Sequence, residues 1–408
     1  MATPSLPKTM RAIVQTAPGV SSVRTDVPVP SLVSGSAIVK PLAAVVTSNL
    51  SSIYRAEGVF GHPDVALAYP RIPGPFSIGR VAALSADAVA LKVGDLVMTS
   101  TFLTARDEPS VGAVWNVVPG FSKESRALHD VVTAMPSSAG GGGGGGGHYA
   151  EYVRAPLENV FKLDEARLLG SPTQPLYPVS SSSTTMGLGY KPGDLVVLAA
   201  AAIAYAGLRR IDARAGERVV VTPATGHYST AAVDVAVAMG LRVVAASRSA
   251  EGLAKIRATY SASAQGIETV QLTGDDLEKD VAALQAFGPV DAAVEVSPPA
   301  ATGSTNFAAA IRALRHGGRI ALIGGRGEDA IPVPYFYAIG QNLLIRGSYM
   351  YDREDVVAVI RLAEAGLLRF GERAGHVVEG VFGLDQLEAA IEKSVEKHGP
   401  GCIVYIQP

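Results

Sequence analysis

The stretch VVVTPATGHYSTAAVDVA, residues 219–236, decides the fold. Its opening valines read as a strand buried on both faces, because a half-exposed strand would alternate apolar with polar residues. Residues 222–226 then break the run with Pro223 and Gly226, and an Ala/Val-rich stretch of helical length ends at Gly240. A strand that turns through glycine into a helix brings the unpaired N–H groups of the first helical turn to the turn itself. Those donors, with the positive end of the helix dipole, suit an anion such as a pyrophosphate. The dinucleotide pattern G-x-G-x-x-G uses its glycines for close backbone approach. Here Gly226 stands alone, and His227, Tyr228 and Ser229 occupy the next three positions. Thr225, Gly226, His227, Tyr228 and Ser229 are therefore candidate cofactor-binding residues, against the alternative of a βα turn that binds nothing.

Outward from this stretch the pattern repeats. RVVAASR, ETVQL, AAVEVS, RIALIGG and LLIRGSYM read as further strands, and AEGLAKIRATY, DDLEKDVAALQAF and NFAAAIRALRHGG as the helices between them. Such alternation predicts a parallel sheet with helices on both faces, doubly wound if the crossovers are right-handed. We place this domain at residues 191–347. Residues 1–190 carry short apolar runs between turn signals, such as RAIVQ and SAIVKPLAAVV, and read as a β-rich domain of barrel character. Residues 348–408 hold two helical stretches and a final strand, CIVYIQ, too little for a separate core, so they are expected to return to the first domain. The eight glycines at 140–147 read as a flexible loop tip within a surface excursion over 107–147, with His148 and Tyr149 exposed beside them.

Composition excludes several classes. The chain has 408 residues, 48% hydrophobic and 18% charged, which is a packed globular composition and not a disordered one. Thirty-five basic against 37 acidic residues leave a net charge of −2, with no electrostatic drive toward nucleic acid or an anionic membrane. The most apolar window, residues 195–208, falls short of the roughly 20 residues that span a bilayer and reads as a buried helix. No apolar run of signal-peptide length opens the chain. One cysteine, Cys402, leaves no disulfide framework and no multi-cysteine zinc site. A cytoplasmic location is the expectation.

The residues at the end of the second strand narrow the cofactor. A site for NAD usually places an acid about 20 residues after the glycine turn, to hold the ribose 2′-hydroxyl. This chain has Ser247 and Arg248 there. An arginine pairs with a 2′-phosphate, so NADPH is favoured over NADH, the alternative being a solvated Arg248 at a helix start.

PATGHYSTAAVDVAVAMG, EVSPPAATGSTNFAAAIRALRHGGRIALIGG, GSYMYDRED and GPGCIVYI together resemble the medium-chain dehydrogenase/reductase superfamily, and within it a zinc-independent, largely fungal branch similar to alcohol dehydrogenases and quinone oxidoreductases. The resemblance implies a GroES-like first domain, a Rossmann second domain and a substrate cleft between them. By position it also implies that Ser297, Gly324 and Gly325 contact the cofactor. Zinc members carry a cysteine ligand early in the first domain and a His-Glu pair some 20 residues on; here the matching positions hold Thr47, Ser48, Asn49 and Pro75-Phe76, so no metal is expected. NLSSIYRAEG resembles the N-x-x-x-x-Y-x-x-x-G stretch of quinone-oxidoreductase-like members, which makes Asn49 and Tyr54 candidate catalytic residues. Tyr54 is read either as a proton donor or as a packing residue; His129, Tyr152, Tyr349 and Tyr351 are weaker candidates.

The function implied is a zinc-independent, NADPH-dependent reductase. It would pass hydride to an activated C=C, C=O or C=N of a small molecule, with specialised metabolism as a setting. The rival is a non-redox enzyme or binding protein on the same fold, should His227 and Ser229 crowd out the pyrophosphate. A homodimer pairing sheet edges through LLIRGSYM is a further expectation.

Overall fold

The computed structural model describes residues 6–55, 66–137, 144–172, 186–261, 266–325 and 332–408. They form two units. The first takes in residues up to Ala199, with Val377–Lys397 and Ile403–Pro408; the second takes in Ala200–His376 and His398–Cys402.

The second unit is built on the valine strand and its glycine turn. β1 (Arg218–Thr222) leads into α1 (His227–Ala238), followed by β2 (Arg242–Ser247), α2 (Ala250–Thr259), β3 (Ile267–Gln271), α3 (Leu277–Gln285), β4 (Val290–Glu295), α4 (Asn306–Ala313), β5 (Leu314–Leu322), α5 (Tyr335–Gly340) and β6 (Leu344–Gly347). The strands lie in the order β3-β2-β1-β4-β5-β6 and all pair in parallel. Val219 is in register with Val243 on one side and Ala292 on the other, so β1 is central. Val219, Val220 and Val221 are each fully buried, as a strand covered on both faces requires. Val220, Val244, Val270, Phe307, Ile311 and Ile320 share one core. The strand order reverses direction between β1 and β4, and such a switch point is where open α/β sheets bind ligands. This is the Rossmann arrangement.

The first unit is β-rich. Ser36–Val45 pairs antiparallel with Ser77–Leu84, with Val153–Pro156 and with the final strand Cys402–Ile406, within a seven-stranded sheet. A hairpin of Thr9–Ala17 and Val20–Pro28 lies outside that sheet. This is the GroES-like part of the α/β fold.

Four expectations change here. The tail divides: helix α6 (Arg353–Glu364) and the residues to His376 belong to the second unit, and only Val377 onward joins the first sheet. The reason is ionic as well as apolar. Arg209, on the helix Leu198–Arg210, holds Asp355 through Nε at 2.5 Å and Nη2 at 3.1 Å, and Asp352 at 2.6 Å. The stretch over 107–147 is no bare excursion: Gly112–Val114 pairs with Phe102–Thr104, the helix Lys123–Thr133 comes next, and Trp115 is fully buried. The glycine run ends in packed interior. Gly145 N–H donates to Val132 O, Gly146 O accepts the Trp115 indole N–H, and a Cβ on Gly147 would stand 2.2 Å from Ile72 O. His148 and Tyr149, expected at the surface, are both fully buried. Residues 140–143 lie outside the described residues.

Candidate functional site

The carboxyl ends of β1, β2, β4 and β5 gather the candidates of the second unit. At the end of β1, Gly226 is the N-cap of α1, and a Cβ added there would meet only Ser229 Oγ, at 3.2 Å. The backbone is therefore open to a close neighbour. Ser229 bends back over its own helix start: its Oγ accepts from Gly226 N–H at 2.9 Å. One donor of the turn is thus already engaged. Thr225 Oγ1 lies 2.8 Å from Ser247 Oγ and ties the end of β1 to the end of β2. A Cβ on Gly252 would stand 2.7 Å from Thr225 Cγ2, so only glycine lets α2 pass this close to the turn.

His227 begins α1, with its ring edge-on to Tyr228 at 5.2 Å between centroids. Burial pushes its pKa down to about 4, against a smaller upward pull from the Cys402 backbone. The ring is neutral at pH 7 and brings no positive charge to the turn. Behind it, Tyr260 donates to Asp234, and His376 Nε2 lies 3.4 Å from the same carboxylate. Burial, and then the Asp234 charge, raise the Tyr260 phenol well above its ordinary value.

Arg248 is exposed at the end of β2. Its stem crosses Gly274, where an added Cβ would meet Arg248 Cδ at 2.5 Å. Among the described residues it forms no ion pair. After β4, Ser297 is fully buried and its Oγ has no hydrogen-bond partner among the described residues, nor has Thr222 Oγ1 at the end of β1. After β5, Gly324 N–H donates to Glu295 O and Gly325 N–H to Ser297 O, both at 3.1 Å. A Cβ on Gly324 would sit 2.7 Å from the Ser297 backbone, so this glycine is required for the two loops to touch. Sequence reading missed Thr222, Gly252 and Glu295. The last is a buried carboxylate whose Oε1 accepts from Ser297 N–H at 3.1 Å.

Comparison with known proteins finds dehydrogenases and a reductase among the relatives of this chain. Residues 229–365 match the family model described as zinc-binding dehydrogenase. The chain is 25% identical over 300 residues to an alcohol dehydrogenase of Geobacillus stearothermophilus, covering 74% of each chain. It is 27% identical over 213 residues to an acryloyl-coenzyme A reductase of Metallosphaera sedula, a match that spans 52% of this chain and 57% of that one. Among solved structures, an alcohol dehydrogenase from Thermus sp. ATN1 superposes with a TM-score of 0.69 at 19% identity, covering 97% of this chain and all of that one. A thermostable alcohol dehydrogenase from Pyrobaculum aerophilum gives 0.66 at 20% identity, over 98% and 100%. The family match falls within the second unit, and the whole chain shares its fold with alcohol dehydrogenases of the medium-chain dehydrogenase/reductase kind.

Asn49 and Tyr54, candidates of the first unit, lie beside and on one short helix. Thr47 Oγ1 bonds Asn49 Oδ1, and the Asn49 carbonyl starts the short helix Leu50–Arg55 by accepting from Ile53 N–H. Leu50, Ile53 and Tyr54 are its buried face. Tyr54 is 1% exposed, packs in a core with Leu50, Tyr149, Leu387 and Ile391, and shares a 2.7 Å hydrogen bond with Ser21. Burial raises its pKa above the ordinary value. Such surroundings describe the packing alternative for Tyr54. Phe76, where zinc members have a ligand pair, is 1% exposed. Among the described residues no group of three His, Cys, Asp or Glu side chains is placed to hold a metal. His129 is buried, with Asp130 and Thr133 beside Nδ1. Tyr351 is buried, whereas Tyr349 is 47% exposed.

Proposed function

We propose that this chain is a nicotinamide-dependent oxidoreductase that prefers NADPH and works without zinc. The observation that carries the reading is at the carboxyl ends of the strands: an open Gly226 backbone at the start of α1, buried Thr222 and Ser297 hydroxyls at the ends of β1 and β4 that lack partners among the described residues, and Gly324 closing against Ser297. Orphaned buried hydroxyls beside a glycine cradle fit a ligand that brings its own polar atoms. The relatives, dehydrogenases and a reductase, support the oxidoreductase part of the reading. A neighbour solved with NADH, a short chain alcohol dehydrogenase (rspB) from E. coli CFT073, with a TM-score of 0.67 at 18% identity, supports the nicotinamide part of the reading alone.

The helix start and Thr225 would hold the pyrophosphate, Ser247 and Arg248 the adenosine ribose and its 2′-phosphate, and Ser297 with Gly324 and Gly325 the far end. Bound there, the cofactor supplies the hydride. The chain's own part is to orient it through these loops. In the other unit, Thr47, Pro75 and Phe76 support the reading without zinc, since they offer no thiolate or imidazole. An acceptor that needs no Lewis acid is then a C=C, C=O or C=N already activated by conjugation in a small molecule.

Calorimetric titration with NADPH and NADH tests the reading. Losing a charge-assisted contact costs about 1.5–3 kcal/mol, so Arg248→Ala should weaken NADPH binding by roughly 10- to 150-fold and leave NADH nearly unchanged. Equal effects on the two would remove the preference. The second reading, a non-redox protein on this fold, is favoured by Ser229 occupying the Gly226 N–H. It predicts no heat with either nucleotide.

A further inference from the structure

Arg71, in the first unit, is 4% exposed, yet among the described residues its guanidinium meets no carboxylate. Nη1 donates to Asn116 O at 2.9 Å, while Nε and Nη2 have no well-placed acceptor among those residues. The group lies 5.6 Å from the centre of the Tyr69 ring, and the Tyr69 phenol, by charge and by a side-chain hydrogen bond, is the main polar influence on it; no carboxylate contributes. Burial pulls its pKa down to about 10, which still leaves it charged at neutral pH. Asn116 is orphaned too: both side-chain polar atoms are buried without partners, and its φ of +55° holds it in a conformation few residues accept.

The two donors that lack a well-placed acceptor among the described residues identify the kind of partner that fits. Nε–H and Nη2–H form one edge of the guanidinium, pointing the same way with the spacing of two carboxylate oxygens. Three other arginines of this chain turn that edge onto a carboxylate. Arg24 holds Asp26 with Nε and Nη2 at 2.9 and 2.6 Å, Arg209 holds Asp355 at 2.5 and 3.1 Å, and Arg106 holds Glu158 by the same pair. Those arginines are partly exposed, where an unpaired charge is tolerable. Arg71 leaves the edge open although it is buried, where an unpaired charge is least tolerable.

We propose that Arg71 and Asn116 form a binding site for a small organic carboxylate. The anion's two oxygens take the Nε/Nη2 edge, and the Asn116 amide contributes a further donor. The site is made of first-unit residues and does not depend on the cofactor reading.

Thermal-shift and calorimetric titrations without nucleotide test it, with propionate, its neutral counterpart propionamide, and inorganic phosphate. Propionate should bind and raise the Tm, propionamide should do neither, and phosphate should bind at least tenfold more weakly. Arg71→Met should reduce propionate affinity tenfold or more. Asn116→Asp covers the case in which Arg71→Met fails to fold: it keeps the arginine but supplies an internal carboxylate, so it should raise the Tm and again lose propionate binding by tenfold or more. Equal responses to propionate and propionamide, no response to either, phosphate preferred, or wild-type propionate binding in Asn116→Asp would each overturn the proposal. Because nucleotide is absent, failure here is separate from failure of NADPH to bind.

Discussion

Removing the Tyr54 hydroxyl takes away one hydrogen bond to Ser21 inside a packed core. Tyr54→Phe should therefore lower stability by about 1 kcal/mol and leave NADPH-dependent turnover unchanged, read from urea unfolding and steady-state rates. A large fall in turnover with stability intact would return the residue to catalysis. The ten-residue resemblance singles out Tyr54 as a position, but not the direction of its ring. That direction comes from the spacing of Leu50, Ile53 and Tyr54 on one turn of helix. His148 teaches the same lesson. Beside eight glycines it reads as a surface residue, yet its Nδ1 lies 2.9 Å from Ser77 Oγ and its ring 4.8 Å from that of Trp115. Burial lowers its pKa to about 3, and that of His129 to about 4. The folded forms resist a proton that the unfolded chain accepts near pH 6.5, so stability should fall as pH drops from 6.5 toward 4. One such imidazole accounts for about 2 kcal/mol between pH 6.5 and 5. Urea midpoints at pH 7.5 and 5 should show the loss, and His148→Asn should flatten it; a pH-independent midpoint would contradict the burial.

At the scale of the element, α1 separates the legible from the illegible. Its strand, turn and helix are dictated by three valines, Gly226 and the Ala/Val run, because period and breakers are properties of the sequence. Ser229 folding its hydroxyl onto Gly226 N–H was not legible, since a serine three residues after an N-cap equally well faces solvent. Ser229→Ala should free that N–H for a phosphate oxygen. We expect NADPH to bind several-fold more tightly while the Tm drops slightly from loss of the helix-start bond. Weaker NADPH binding in this variant would mean that the serine hydroxyl itself contacts the cofactor. The helix read through RALRHGG instead stops at Ala313, where β5 begins at Leu314 and pairs with Val290 of β4. Pairing with a buried neighbour strand overrode the local helical composition there.

For the whole molecule, the second unit carries the surface that bears on assembly. Among the described residues β6 is the edge of the parallel sheet, bonded on its β5 side, and three of its four residues are exposed. The preceding helix α5 buries none of its residues; Tyr335 and Phe336 are 76% and 89% exposed, and Ile339 and Leu344 are exposed with them. An edge strand flanked by that much apolar surface is a pairing and aggregation hazard unless covered. The net charge of −2 does little to keep copies apart. A second copy of the chain is the simplest cover: two β6 strands running antiparallel across a two-fold axis would pair their free edges and bury both α5 helices. Such a contact is expected to exceed the roughly 1,000 Å² needed for a stable interface. Sedimentation at micromolar concentration should give a dimer for the wild type. Phe336→Glu with Ile339→Glu should give a monomer that still binds NADPH, because neither residue is part of the crevice at the ends of β1, β2, β4 and β5. A wild-type monomer, or a double variant that remains dimeric, would place the cover for this face elsewhere.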